Sequence, residues 1–148
     1  MKAMKQPVSV LVVIHTADLQ VLLIERADKP GYWQSVTGSR EGDEAIADTA
    51  QREVAEETGF AAEAGQWYDW QQQNVYEIYP HWRHRYAEGV THNTEHVFSL
   101  QLPGTLRPTL APGEHLAWQW LPWQQAAEQV FSPSNAAAIR ALAQRFLP

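Results

Sequence analysis

Glu53, Glu56 and Glu57 stand at i, i+3 and i+4 in the segment GSREGDEAIADTAQREVAEETGF, residues 38–60. On a helix that spacing sends three carboxylates from one face, with Cβ atoms about 5–6 Å apart. Two such charges repel by about 3 kcal/mol at an effective dielectric of ~20, and by under ~1 kcal/mol in water. The cluster is therefore cheap on an open surface and needs a cation inside a cleft. Hard oxygen ligands without Cys or His select Mg2+, Mn2+ or Ca2+ over zinc. Mg2+ leaves positions for water and substrate phosphates, so carboxylates beside a glycine-containing loop point to a polyphosphate substrate. Arg52 is spaced to pair with Glu56 at i+4 and with Asp48 at i−4. The plainer reading is a solvated acidic face, and the three glutamates alone do not decide between the two.

Such a cluster works only where its helix is held. Asp43 suits an N-cap and Gly59 a C′ position. Between them Ile46, Ala47, Ala50, Val54 and Thr58 recur at three- and four-residue spacings and predict a buried stripe elsewhere on the wheel. Residues 8–15 form a β-branched apolar run, the pattern of a strand buried on both faces. Residues 21–24 form a second such run, and Pro30-Gly31 marks a turn before a short strand at 33–37. Further strands are predicted at 75–79, 94–102 and 116–121, with 81–92 a polar loop. Residues 123–130 read as a short helix. Ser134 is placed to cap a longer one, in which Ile139, Leu142, Ala143 and Phe146 face a sheet. No repeat or linker interrupts this pattern, so the expectation is one α/β domain over residues 1–148.

Composition narrows the chemistry. With 148 residues, 17 acidic side chains against 11 basic and a net charge of −6, the chain lacks the basic footprint of a nucleic-acid binder. It has no cysteine, which excludes disulfides, thiolate metal sites and thiol nucleophiles. The longest aliphatic run is too short to cross a bilayer, and no charged leader with a cleavage site opens the chain. The expectation is a cytoplasmic protein with no membrane partner. Seven tryptophans are enough for some to line a site rather than fill the core.

The full spacing of the acidic helix is more specific than its glutamates. Gly38, Glu44, Arg52, Glu53, Glu56, Glu57 and Gly59 fill all seven fixed positions of the Nudix box, and segment 38–60 resembles that motif. At roughly 6% for each residue type, chance gives on the order of 10⁻⁸ or less per starting point. Phe60 departs from the usual aliphatic residue and concerns packing, not ligands. The resemblance implies a Nudix fold, an α/β/α sandwich with a mixed β-sheet. It also implies a hydrolase of nucleoside diphosphates linked to another group, with Mg2+ as cofactor or Mn2+ in its place.

Outside the box, PVSVLVVI from Pro7, GYWQSVTGS from Gly31, HWRHRYAEGVTHNTEH from His81 and EHLAWQWL from Glu114 resemble the Nudix pyrophosphohydrolases of 7,8-dihydroneopterin triphosphate. Those enzymes release pyrophosphate and leave the monophosphate, in folate biosynthesis. By that resemblance Glu53, Glu57 and Glu114 ligate the metal, and Arg52, Glu53, Glu56 and Glu57 carry catalysis. Lys5, Arg26, Thr37, Tyr76, Glu77, Ile78, Tyr79, His115 and Ser132 would contact substrate. His81, Arg83, His84 and Arg85 form a cationic patch suited to phosphate, so Arg83→Ala is expected to raise KM more than it lowers kcat. In the expected mechanism the attacking water would give its proton to Glu56 or Glu57. Trp33 reads either as a stacking surface for the ring or as a core residue. The expected partner is a small pterin or nucleoside triphosphate substrate, and the oligomeric state is left open, a monomer being compatible with the chain. Two other readings stay open: a Nudix pyrophosphohydrolase of (d)NTPs or dinucleoside polyphosphates, and a Nudix ligand sensor without turnover.

Overall fold

The apolar run at the start of the chain becomes the centre of a seven-stranded mixed sheet. In the computed structural model, which describes residues 4–146, β1 (Val8–His15) pairs in parallel with β6 (His92–Gln101) along its whole length. Its other edge is shared. At His15 it meets β2 (Gln20–Arg26), antiparallel, and at Ser9 to Val12 it pairs with β4 (Val36–Ser39). β2 in turn pairs with β3 (Trp33–Gln34) on one edge and with β7 (His115–Pro122) on the other. β1 and β2 thus splay apart, and the β3–β4 segment fills the wedge. The strand predicted at 33–37 is split at Ser35, where Asn135 binds the backbone amide at 2.9 Å. The outer strand is β5 (Gln66–Glu77), antiparallel to β6.

Alternation along β1 explains the layers. Leu11 and Val13 enter one core cluster with residues of α2 (Trp123–Gln129) and α3 (Pro133–Phe146). Val10, Val12 and Ile14 enter the other with Ala50 and Val54 of α1 (Ile46–Thr58). A strand buried on both faces needs apolar side chains on both, as Val10 to Ile14 supply, with the buried polar Ser9 and His15 at its ends. The result is the expected α/β/α sandwich. The terminal residues 1–3 and 147–148 of the predicted domain lie outside the described residues. Among the described residues no helix is long and apolar enough to cross a membrane.

Several boundaries move for identifiable reasons. Asp43 does not cap α1; the cap position is Ala45, with no side-chain hydrogen bond. Glu44 takes over the helix start instead, accepting from the Glu41 amide at 2.9 Å and the Thr49 hydroxyl at 3.0 Å. Gly59 does end the helix, at φ 75°, donating its N–H to the Ala55 carbonyl. Ala47 is exposed, and the buried side of α1 adds Thr49 and Glu57 to Ala50, Val54 and Thr58. β5 begins nine residues before its predicted start, because an exposed edge strand is fixed by pairing to β6 and carries no apolar alternation. Part of the 81–92 loop is a short 3-10 helix, Pro80–Arg85, closed by Trp82 and Tyr86 amides on the Tyr79 and Arg83 carbonyls. α3 starts at Pro133, favoured at a first helical position. Ser132, not Ser134, stands before it and accepts the Ala136 amide on its carbonyl.

Candidate active site

A cleft opens where the wedge meets α1, the loop before β7 and the 3-10 helix. Its acidic arm is lined by Glu53, Glu56 and Glu57 from α1, by Gly38 and Ser39 from β4, and by Glu114 and His115. His84 and Arg85 close it from above. The other arm is a cavity of about 280 Å³ walled by Tyr76, Tyr79, Trp82 and Phe131 and floored by Glu95, Ser132 and Asn135. Lys5, Arg26, Gln34, Thr37 and Arg85 line both arms and join them.

Arg52 organises the acidic arm. Its Nε and Nη2 donate to the two oxygens of Glu44 at 2.7 and 3.0 Å, a bidentate pair. Nη2 also donates to the Ser39 carbonyl at 2.9 Å, fastening α1 to β4. Nη1 reaches Glu53 at 2.8 Å and Glu56 at 3.3 Å. Asp48 is not among its partners. The guanidinium hydrogen bonds, chiefly, hold the Glu44 carboxyl down at about 2. Glu53 sits against Gly38 so closely that any Cβ there would overlap its carboxylate, which accounts for the glycine opening the motif.

Glu53 and Glu57 face each other with opposite surroundings. Glu53, 13% exposed, has Arg52 at one side. The Glu57 side chain is only 5% exposed, and its Oε1 has no hydrogen-bond partner. His115 Nε2 is 3.6 Å away, outside hydrogen-bond reach, and burial together with Arg26 lowers the histidine pKa, so it offers no cation. Burial raises the pKa of both glutamates; Glu57 is pushed well up, with Glu53 and Glu114 adding to the effect. Among the described residues no three acidic or histidine side chains converge on one point; Glu53 and Glu57 form the pair, and Glu114 stands in the same wall. A buried carboxylate oxygen without a donor, beside a second carboxylate, fits a divalent cation better than any group the chain supplies. Glu56 differs, being 55% exposed and held only by Arg52.

The basic residues divide. Arg26 grips Asp28 through Nε and Nη2, both at 2.7 Å, gives Nη1 to Gln34, and lies 4.7 Å over the Trp82 ring. Arg85 joins the same aspartate at 3.1 Å. These guanidiniums hold the Asp28 carboxyl far below the carboxylate range, the Arg26 hydrogen bond foremost. Arg83 instead binds Glu77 and the Ile78 carbonyl, and His81 stacks on Tyr79; neither lines the cleft. The four-residue patch thus contributes His84 and Arg85 to the cleft lining, while the Arg83 guanidinium is turned to Glu77 and the Ile78 carbonyl.

Of the predicted substrate contacts, Lys5, Arg26, Thr37, Tyr76, Glu77, Ile78, Tyr79 and Ser132 border the aromatic arm, and His115 the acidic one. Desolvation of the Tyr76 hydroxyl, with Glu95 nearby, pushes its pKa up to about 12. Trp33 packs against the core; the aromatic wall is Trp82, which sequence reasoning passed over. The signal was its place between His81 and Arg83, an aromatic residue inside a basic segment. Asp28, Gln34, Glu95 and Phe131 were missed as well. Only Glu95 carries a sequence signature: it shares the inward parity of Val97 and Ser99 on a strand.

The family model for the NUDIX domain matches residues 5–142. The chain is similar to the dihydroneopterin triphosphate diphosphatase of Escherichia coli strain K12, with 46% identity over 141 residues covering 93% of each chain. It is 40% identical over 135 residues to the Haemophilus influenzae protein of the same name, across 89% of this chain and 84% of that one. The solved structure of the E. coli dihydroneopterin triphosphate pyrophosphohydrolase superposes with a TM-score of 0.90 at 44% identity, over 97% of this chain and 99% of that one.

Proposed function

The chain belongs to the Nudix family, and from that premise we propose that it hydrolyses 7,8-dihydroneopterin triphosphate to the monophosphate and pyrophosphate. The observation that carries this reading is the two-armed cleft. An acidic arm suited to a cation joins an aromatic arm sized for one ring system through Lys5, Arg26 and Arg85. The 46% identity to an enzyme of that name over 93% of both chains supports the choice of ring.

Nudix hydrolases use a divalent metal, and Glu53, Glu57 and Glu114 are the residues that would hold Mg2+, or Mn2+ in its place. When bound it supplies charge neutralisation at the phosphates and polarises the reacting oxygens. The remaining work falls to the chain. Lys5, Arg26 and Arg85 bind the triphosphate where the arms meet, with Arg26 and Arg85 trading Asp28 for phosphate oxygens. Arg52 keeps Glu53 and Glu56 in register and ties α1 to β4. Water displaces pyrophosphate by cleaving the α–β phosphate bridge, and Glu56 takes its proton. Glu56 suits this task better than Glu57, because it is solvent-accessible and is not needed to hold the cation.

A competition assay tests the reading. Purified protein with Mg2+ is given dihydroneopterin triphosphate and the four dNTPs together, and pyrophosphate and each monophosphate are quantified. Preferential conversion of the pterin is expected. Equal or better turnover of a dNTP would refute the substrate assignment in favour of a nucleotide pyrophosphohydrolase, and binding without turnover would leave a sensor.

A further inference from the structure

The aromatic arm ends on a carboxylate that the phosphate chemistry does not use. Glu95 points from β6 to the same side as Asn93, Val97 and Ser99, all buried, and is itself 4% exposed. It lines the floor of the aromatic cavity. Its surroundings there are neutral: the Asn74 amide donates at 3.3 Å, and the Ser134 hydroxyl stands beside it. Among the described residues no lysine, arginine or histidine forms an ion pair with it. Burying a carboxylate on such weak support is costly, and burial does raise its pKa. A carboxylate in that position lacks donors, and the open side of the cavity is where they would arrive.

We propose that Glu95 is a specificity-determining residue that reads a 2-amino-4-oxo ring, accepting one hydrogen bond from the ring N–H and a second from the adjacent exocyclic amino group. The inference rests on the reading of the cleft given above and deepens it. The two donors of such a ring lie side by side in one plane and match the two oxygens of a carboxylate, as a guanidinium does. Trp82 and Phe131, 6.1 Å apart between centroids and edge to face, give the ring an aromatic wall. Both side-chain amides of the cavity wall are already engaged. The Asn135 amide is satisfied on both atoms by Ser35, and Gln34 accepts from Arg26. The edge that Glu95 reads is shared by pterins and guanine and is absent from adenine.

The test compares dGTP with dITP, which keeps the ring N–H and lacks only the amino group, for the wild-type protein and Glu95→Gln. A charge-assisted hydrogen bond in a desolvated pocket corresponds to about 10- to 100-fold in binding. The wild type is expected to prefer dGTP in kcat/KM by about that factor, and Glu95→Gln to bring the ratio close to one. Quenching of tryptophan fluorescence by neopterin, which carries the same edge without phosphates, should weaken by a similar factor. Glutamine is isosteric and keeps partners for Asn74 and Ser134, and an unchanged circular dichroism spectrum verifies the fold. A wild type indifferent to the amino group, or a variant that loses dGTP and dITP equally, overturns the proposal. Neither result depends on whether the pterin triphosphate outcompetes dNTPs, so a failure of the broader functional reading is separately visible.

Discussion

Glu57→Gln should move activity and stability in opposite directions. The side chain is 5% exposed, its Oε1 lacks a donor, and its neighbours Glu53 and Glu114 are acidic. Two full carboxylates in contact would repel by about 4 kcal/mol at an effective dielectric of ~20. The raised carboxyl pKa values of the pair relieve part of this, so removing one ionisable group returns about 1–2 kcal/mol. For a chain of this length that is a rise in Tm of about 3–6 °C without metal. Because the folded pKa of Glu57 is raised above 4.5, the folded state binds its proton more tightly than the unfolded state. Wild-type stability is therefore fully present below that value and declines as pH rises through the folded pKa. The advantage of the Glu57→Gln variant should vanish near pH 4.5 and grow toward neutrality. Activity should fall by roughly 10³-fold, the equivalent of about 4 kcal/mol of lost transition-state stabilisation. Mg2+ should raise the wild-type Tm and leave the variant nearly unmoved. Scanning calorimetry at several pH values, with and without Mg2+, reads the stability effects, and pyrophosphate release reads the activity. A variant less stable than wild type near neutral pH without metal, or one still stabilised by Mg2+ and still active, would refute the reasoning.

The remaining expectations concern the walls of the cleft. Gly38→Ala places a methyl group in the space of the Glu53 carboxylate. It should lower kcat by about 100-fold, the scale of a ~1 Å misplacement, with Tm only a few degrees lower. Steady-state kinetics retaining wild-type kcat would show that Glu53 has room to move. Arg85→Ala should raise KM by about 10-fold, whereas Arg83→Ala, whose guanidinium is spent on Glu77 and a backbone carbonyl, should change KM by less than about 3-fold. The reverse ranking in a KM comparison would return the phosphate contact to Arg83.

Machinery that depends on local spacing was legible in the chain before it folded. Carboxylates three and four residues apart share a helix face by geometry alone, and Gly59 ends that helix because only a residue tolerant of positive φ continues the chain there. The short, β-branched apolar run of β1 favoured a strand covered on both faces, so the layered fold was legible as well. Relations between segments far apart in the chain came only with packing. The wedge of β3 and β4 between β1 and β2 brings Gln34 and Thr37 to Arg26, and no local pattern encodes that splay. Arg83 and Arg85 are equivalent in sequence, and the 3-10 turn sends one to Glu77 and the other to Asp28 in the cleft. Trp33 read either as a ring partner or as core, and packing set it against the core and put Trp82, which sequence reasoning passed over, on the cavity wall. Glu56 and Glu57 are adjacent and chemically identical, yet one is open to water and the other is sealed beside His115. Their difference is solvation, a property of everything folded around them, which a linear pattern of residue types does not carry.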